Sequence, residues 1–150
     1  MGLMTSTLGA DLLAVVARIN RLATQRARLP LPFAQGRLLS TIEDQGATRI
    51  SDLANFDHCS QPTMTTQVRR LEDAGLVSRT ADPDDARAVL IRITPKGVET
   101  LRQVRLDRGA AIDPYLERLD AADRQTLSNA VRVLRGLLED ATTPKTTSAK

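Results

Sequence analysis

The sequence predicts a mainly α protein that contains one small β-hairpin. Apolar residues recur at helical spacing over most of the 150 residues. From Val77 to Ile93 the spacing changes to the alternation that is typical of strands. The length, with 41% apolar and 26% charged residues, is that of a single domain spanning residues 1–150.

Two helices open the chain. The first is predicted over residues 10–29, where apolar residues form a stripe from Leu12 to Leu22 that is wider than one neighbour requires. Pro30 and Pro32 end this helix, because proline stops helical hydrogen bonding. The second helix is predicted over residues 33–44.

Two short helices joined by a three-residue turn come next. Ser51 is placed to cap the first of them, and residues 57–59 form the turn. Ser60 is placed to cap the second, with Pro62 in its first turn, where the missing N–H costs nothing. Gly75 ends that helix. The result is a helix-turn-helix pattern.

A hairpin and two further helices complete the chain. Strands are predicted over residues 77–80 and 87–93, joined by the turn Asp82-Pro83-Asp84-Asp85. Thr94 is placed to cap a helix over residues 95–119, with a break expected near Gly109 and Pro114. Asp120 is placed to cap the last helix, which runs to about residue 140. Residues 141–150 are predicted to form a mobile tail.

The composition excludes several classes of protein. Three aromatic residues and no Trp make a base-stacking RNA or single-strand binder a poor fit. One Cys and one His allow neither an internal disulfide nor a structural zinc site, and no metal or cofactor is expected. The longest apolar run, Leu12 to Ala17, is too short to span a membrane. No basic residue precedes that run, so a secretory signal is not indicated, and we expect a cytoplasmic protein.

The residues do not suggest an enzyme. No glycine-rich phosphate loop, pair of catalytic carboxylates or Ser-His-Asp set is present. His58 and Cys59 are adjacent, but no third group is placed to orient them as a catalytic dyad. We interpret Cys59 as a small buried residue, in preference to a redox sensor, and His58 as a turn residue.

A helix-turn-helix followed directly by a hairpin has the order of a winged helix. In its second helix, Met64, Val68 and Leu71 share one face and are predicted to pack inward. The other residues are candidates for contact with DNA bases and phosphates. A helix face that only contacts solvent would also be polar. Threonine is a poor helix former at the surface, however, so the threonines of this helix favour contact with DNA as the interpretation. The candidates on this helix are Ser60, Gln61, Pro62, Thr63, Thr65, Thr66, Arg69 and Arg70.

Arg87 lies where the hairpin turn meets its second strand. It is within reach of the three aspartates of the turn, Asp82, Asp84 and Asp85. An arginine on a wing can enter the minor groove when a carboxylate steadies it. An ordinary exposed ion pair would place the same residues together, and the hairpin alone does not decide between the two interpretations.

The chain resembles the MarR family of bacterial regulators. The resemblance rests on the runs Leu71–Arg79, Asp82–Leu90 and Ile93–Gly97. It implies a winged helix-turn-helix over residues 33–97, flanked by N- and C-terminal dimerisation helices over 10–29 and 98–140. It implies that Ser60–Ala74 is the recognition helix, Arg87 the wing arginine and Asp85 its acidic brace. Ala86 stands where many members carry a second arginine, which places more of the wing contact on Arg87.

The resulting hypothesis is a ligand-responsive repressor. We expect it to bind a pseudo-palindromic operator in double-stranded DNA as a homodimer, because the wide apolar stripes of the terminal helices need cover. The resemblance also implies a small aromatic or amphipathic effector. Residues able to line its site are Phe33, Tyr115, Arg18, Arg21 and His58, although residues of these types are more often simply core or surface. The alternative is a winged-helix protein-interaction module without sequence-specific DNA binding.

Overall fold

The computed structural model describes residues 3–142, with side chains described for residues 7–142. The chain divides into two compact units, residues 1–111 and 112–150. Of the predicted mobile tail, residues 143–150 lie outside the described residues.

The described residues form helices and a small sheet. The first unit contains α1 (Leu3–Arg26), α2 (Phe33–Gln45), β1 (Thr48–Arg49), α3 (Ile50–Phe56), α4 (Gln61–Asp73), β2 (Val77–Asp82), β3 (Asp85–Ile93) and α5 (Pro95–Ala110). The second unit contains α6 (Asp113–Leu116) and α7 (Ala121–Thr142).

The sheet has three antiparallel strands in the order β1-β3-β2. Strand β1 pairs with β3 through Arg49 and Leu90, and the long hairpin β2–β3 runs from the pair Val77–Ile93 to a bulge at Asp82. The hairpin is the predicted wing, and the prediction of a mainly α winged helix-turn-helix is confirmed.

One core fixes the helix-turn-helix against the sheet. It is built by α2, α3, α4 and β3, and it includes the predicted inward face of α4. Close packing of these side chains leaves the opposite face of α4 directed at solvent. The largest fully buried side chains are Leu39, Ile42, Leu53, Met64, Val68, Leu71 and Ile91.

The structure corrects two predicted helix starts. Helix α1 begins at Leu3 and ends at Arg26. The apolar stripe had predicted a helix over residues 10–29. Helix α3 begins at Ile50, so Ser51 lies inside it and does not cap it. The cause is strand β1: because Arg49 pairs with β3, the helix starts directly after the strand without a side-chain cap.

The predicted N-caps of α4 and α7 and the predicted break after α5 are confirmed, although α6 ends at Leu116 and not at residue 119. The hydroxyl Oγ of Ser60 accepts a hydrogen bond from the Thr63 N–H at 3.2 Å, which is the expected N-cap of α4. The Asp120 carboxylate accepts from the Asp123 N–H at 2.8 Å before α7. The predicted break falls between α5 and α6, and Pro114 sits in the first turn of α6.

Helices α4 and α5 are tied together at one junction. Gly75 adopts φ +74°, a left-handed conformation that favours glycine after a helix. The Thr94 hydroxyl donates to the Gly75 carbonyl at 2.6 Å and accepts from the Gly97 N–H at 3.0 Å. The Lys96 ammonium donates to the Ala74 carbonyl at 2.8 Å. The end of α4 and the start of α5 are therefore one hydrogen-bonded unit.

Candidate nucleic-acid interface

The exposed face of α4 begins with three threonines. The Thr65 hydroxyl donates to the Gln61 carbonyl at 2.8 Å, and the Thr66 hydroxyl donates to the Pro62 carbonyl at 3.1 Å. The Thr63 and Ser60 hydroxyls are 2.8 Å apart. Because the hydroxyl protons of Thr65 and Thr66 are used inside the helix, these side chains offer acceptor lone pairs and methyl groups outward.

Arginines occupy the remaining exposed positions. Arg69 and Arg70 follow the threonines on α4, and Arg87 projects from β3. All three are exposed, and within the described part of the chain none of their guanidinium groups has a hydrogen-bond or ion-pair partner. An unpaired arginine keeps all five donors free for an external anion or base edge.

A buried carboxylate holds the closed end of the wing, beside its turn. Both Nε and Nη2 of Arg49 donate to Oδ2 of Asp82, at 2.9 and 2.6 Å. Oδ1 of Asp82 accepts from the Asp84 N–H at 2.9 Å, and Asp82 is only 7% exposed. The Asp84 N–H, followed by the Arg49 guanidinium, lowers the pKa of the Asp82 carboxyl below its usual 3.8. The carboxylate is therefore ionised at neutral pH, and its stabilising effect is lost only as the pH falls through that lowered pKa.

Asp85, the expected brace, acts on the backbone. Its Oδ1 accepts from the N–H of Arg87 at 3.0 Å, while the Arg87 guanidinium extends into solvent. The charge pair that anchors the wing is instead Arg49–Asp82, and Arg49 was not among the sequence candidates. Its partner lies 33 residues away, and a two-residue strand has no periodicity, so no local signal could have identified it.

The part of the winged region from α3 to the start of α5 carries no excess of positive charge, and several of its acidic groups are paired. Residues 50–97 contain six basic and seven acidic residues. Three of the acidic groups are in ion pairs: Asp57 with Arg37, Glu72 with Arg79, and Asp82 with Arg49. These pairs neutralise acidic side chains that would otherwise repel phosphate. Net charge therefore does not favour DNA contact here, and the only favourable feature is the placement of the exposed arginines.

A cavity of about 310 Å³ lies beside the winged region within the first unit. Its wall combines apolar side chains with three arginines, which is a lining suited to an amphipathic molecule carrying negative charge. The lining residues are Asn20, Leu29, Leu31, Pro32, Phe33, Gly36, Arg37, Ser40, Leu101, Val104, Arg105 and Arg108.

Each arginine of the cavity has a defined environment. Arg108 stacks over the Phe33 ring at 5.6 Å and donates through Nη2 to Asn20 at 2.8 Å. Its Nε is buried, with no partner among the described residues. Arg105 pairs with Glu43 at 2.7 Å, and Arg37 pairs with Asp57 at 2.5 Å. A buried donor without a partner is energetically unfavourable.

Of the residues suggested for an effector site, only Phe33 lines this cavity. Arg21 lines a smaller neighbouring pocket, and His58 lines a shallow groove beside α3. Tyr115 belongs to the second unit, and Arg18 is exposed on α1. The arginines of the cavity were missed because α2 and α5 are distant in sequence.

Two helices expose apolar side chains. On α1, Leu8, Leu13, Val15, Val16 and Ile19 are exposed, with Leu13 at 70%. On α7, the exposed apolar residues are Leu127, Val131, Val133, Leu137 and Leu138, with Leu138 at 66%. These are the stripes that the sequence predicted to need cover.

Cys59 and His58 behave as local structural residues. Cys59 is partly buried against the core, and His58 adopts φ +50° in the turn before α4. Across residues 3–142, no group of three or more His, Cys, Asp or Glu residues could hold a metal ion. No helix in the same range is long and apolar enough to cross a membrane.

The fold and this surface define a winged helix-turn-helix protein. Residues 31–89 match the model of the MarR family. An HTH-type transcriptional regulator of Mycobacterium bovis is 28% identical over 134 residues, covering 89% of this chain and 94% of that protein. The crystal structure of a transcriptional regulator from Thermotoga maritima superposes with a TM-score of 0.72 at 26% identity, covering 91% of this chain and 96% of that one. Over residues 31–89 the chain is similar to the MarR family, and the relatives that match most of its length are transcriptional regulators.

The fold is shared with a protein whose structure includes DNA. A mutant MarR from E. coli, complexed with operator DNA, superposes with a TM-score of 0.57 at 24% identity. That superposition covers 85% of this chain and 93% of the E. coli chain.

Proposed function

We propose that this protein binds double-stranded DNA as a homodimer in the cytoplasm and represses transcription by occupying a pseudo-palindromic operator. The observation that carries the proposal is the set of free arginines on α4 and the wing. Arg69, Arg70 and Arg87 are exposed and unpaired among the described residues, and the core contains the inward face of α4 and Ile91 of β3. In this arrangement α4 enters the major groove and Arg87 the adjacent minor groove.

The threonines of α4 would contact base edges as hydrogen-bond acceptors and through their methyl groups. Thr66 has already donated its hydroxyl proton to Pro62, so its outward chemistry is acceptance and methyl contact. Such a side chain suits the amino group of adenine or cytosine, or the methyl group of thymine. Gln61, exposed beside the cap, can pair bidentately with adenine.

The exposed apolar faces of α1 and α7 support the dimer. Exposed apolar side chains in such number are unusual in a monomer, and a second copy of the chain would cover them. Two-fold symmetry then places two α4 helices about 34–36 Å apart, one DNA turn, which requires a pseudo-palindromic operator.

Ligand response is supported by the link between the cavity and the helix-turn-helix. Arg37 lines the cavity and also pairs with Asp57 in the turn that precedes α4. A small aromatic anion that enters the cavity competes with Asp57 for the Arg37 guanidinium. Binding would thereby alter the turn just before Ser60, and ligand and DNA affinity are coupled in both directions.

Selection of duplexes from a random pool tests the DNA-binding proposal. The full chain should enrich duplexes with two symmetric half-sites about 10 base pairs apart. The affinity for an enriched duplex should fall steeply as salt rises, because phosphate contacts release counterions. No enrichment together with a flat salt dependence would instead favour the protein-interaction module.

Benzoate is a suitable probe of the cavity, and we expect it to weaken binding to the enriched duplex about fivefold or more. In Arg37→Gln this response should disappear, because the guanidinium shared with Asp57 is gone. Benzyl alcohol, which lacks the charge, is the ligand control. Arg102→Gln is the protein control, since Arg102 pairs only with Glu99 within α5. An undiminished response in Arg37→Gln would refute the link.

A further inference from the structure

We propose that Arg49 and Asp82 form a positioning pair that sets the location of Arg87 relative to α4, so that DNA affinity depends on two residues that need not touch DNA. This inference rests on the proposed DNA binding. It assigns a role to an ion pair that the proposed contacts do not use.

Arg49 links the start of the helix-turn-helix to the wing. Arg49 is the residue directly before α3, and its backbone pairs with Leu90 of β3. Its guanidinium holds Oδ2 of Asp82 through two hydrogen bonds at 2.9 and 2.6 Å. A fork-shaped donor that meets one oxygen twice restricts the orientation of the carboxylate more than a single contact does.

Asp82 and Asp85 also form hydrogen bonds with the backbone around the hairpin turn. Oδ1 of Asp82 accepts from the Asp84 N–H, so the same carboxylate also shapes the hairpin turn. On the far side of that turn, the Asp85 carboxylate accepts from the Arg87 N–H. These hydrogen bonds are joined by the peptide bond between Asp84 and Asp85, so a path of hydrogen bonds and backbone runs from the start of α3 to the backbone of the wing arginine.

The position of the pair along the hairpin explains why it matters. Residues 82 and 85 are paired at a bulge, where the regular ladder of the hairpin is interrupted. A bulge increases local twist, so the direction of the wing tip is sensitive to what holds the two residues that close the hairpin. The buried Asp82 is one of these two residues and is bonded to Arg49, so its loss would release the tip that carries Arg87.

Because Asp82 is negatively charged, the direction of the change in DNA affinity when it is replaced by asparagine tests the proposal. Asp82→Asn removes a negative charge near the DNA-facing surface, and charge alone would then strengthen binding. Positioning predicts the opposite: affinity for the enriched duplex should fall about tenfold, because Arg87 is no longer held in register. Asp84→Asn is the matched control. It removes the same charge from the same turn, and should leave the affinity unchanged or tighter.

A double-mutant cycle with Arg87→Ala separates positioning from direct contact. If Asp82 acts through Arg87, Asp82→Asn should change the affinity less than twofold in the Arg87→Ala background. Arg49→Gln should follow the same pattern. Tighter binding by Asp82→Asn, or an undiminished effect in the Arg87→Ala background, would overturn the inference. Urea unfolding of each variant confirms that folded protein is being compared.

Hydrogen exchange provides a measurement that does not involve DNA. The amide of Arg87 should exchange faster in Asp82→Asn than in the wild-type protein and in Asp84→Asn, while amides in α4 stay unchanged. An unchanged Arg87 amide would overturn the positioning role whatever the binding data show. Failure of the wild-type chain to bind any duplex, with a faster Arg87 amide, would refute the proposed function and keep the anchoring of the wing.

Discussion

Replacement of Gly97 by alanine should lower the free energy of unfolding by about 3 kcal/mol. Gly97 lies in the first turn of α5, where the helix passes over the end of α4. A Cβ at this position would overlap the Leu76 carbonyl oxygen and lie 2.7 Å from Cγ1 of Ile93. The carbonyl belongs to backbone that also accepts from the Thr94 N–H at 3.0 Å, so it has little freedom to move away.

Gly109→Ala is the matched control for this prediction. Gly109 is in the same helix, and nothing lies within 4 Å of the Cβ that it would gain. Since alanine is the better helix former, this variant should be about 0.5–1 kcal/mol more stable than the wild-type protein. Urea unfolding followed by circular dichroism measures both. Equal stability of the two variants would show that the chain at Leu76 yields easily.

Loss of Arg69 and Arg87 together should weaken binding to the enriched duplex about 100-fold at moderate salt. Each arginine is exposed and unpaired among the described residues, so alanine removes a DNA contact without leaving a buried charge behind. In a dimer each substitution is present twice. The slope of log affinity against log salt should therefore decrease by roughly two for each arginine that contacts phosphate.

The single variants distinguish positioning contacts from base reading. Arg87→Ala should weaken binding to all duplexes similarly, whereas changes at Gln61 or Thr66 should alter base preference. Arg102→Ala removes a charge from α5 at a site paired with Glu99, and its affinity should be close to that of the wild-type protein. A change in base preference without loss of affinity in Arg87→Ala would show that the wing role is wrong.

The elements with strong local signals could be predicted from the sequence. Helix α4 was predictable because Ser60 and Pro62 mark its start and Met64, Val68 and Leu71 repeat on one face. The winged helix-turn-helix followed from the order of such elements. Ser51 misled the prediction of α3, because a serine before an apolar residue signals a cap only when no strand continues into the helix.

The part of the candidate site that lies on α4 alone could be predicted from the sequence. The parts in which residues from separate elements come together could not. The outward face of α4 follows directly from its inward face. The pair Arg49–Asp82 and the link Arg37–Asp57 join residues that are 33 and 20 positions apart, and spacing along the chain does not indicate such contacts. Asp85 was assigned as a brace because it is adjacent to Arg87, and the structure shows that this adjacency restrains the backbone.

The junction between α4 and α5 has a consequence for how such a regulator changes during evolution. Because Thr94 and Lys96 bond the carbonyls of Gly75 and Ala74, α4 moves as one body with the start of α5. In the proposed dimer, base preference would depend on side chains such as Gln61 and Thr66, and the separation of the two half-sites would depend on the part of the molecule that carries α5. Point mutations on α4 would then change the bound sequence without changing the preferred spacing.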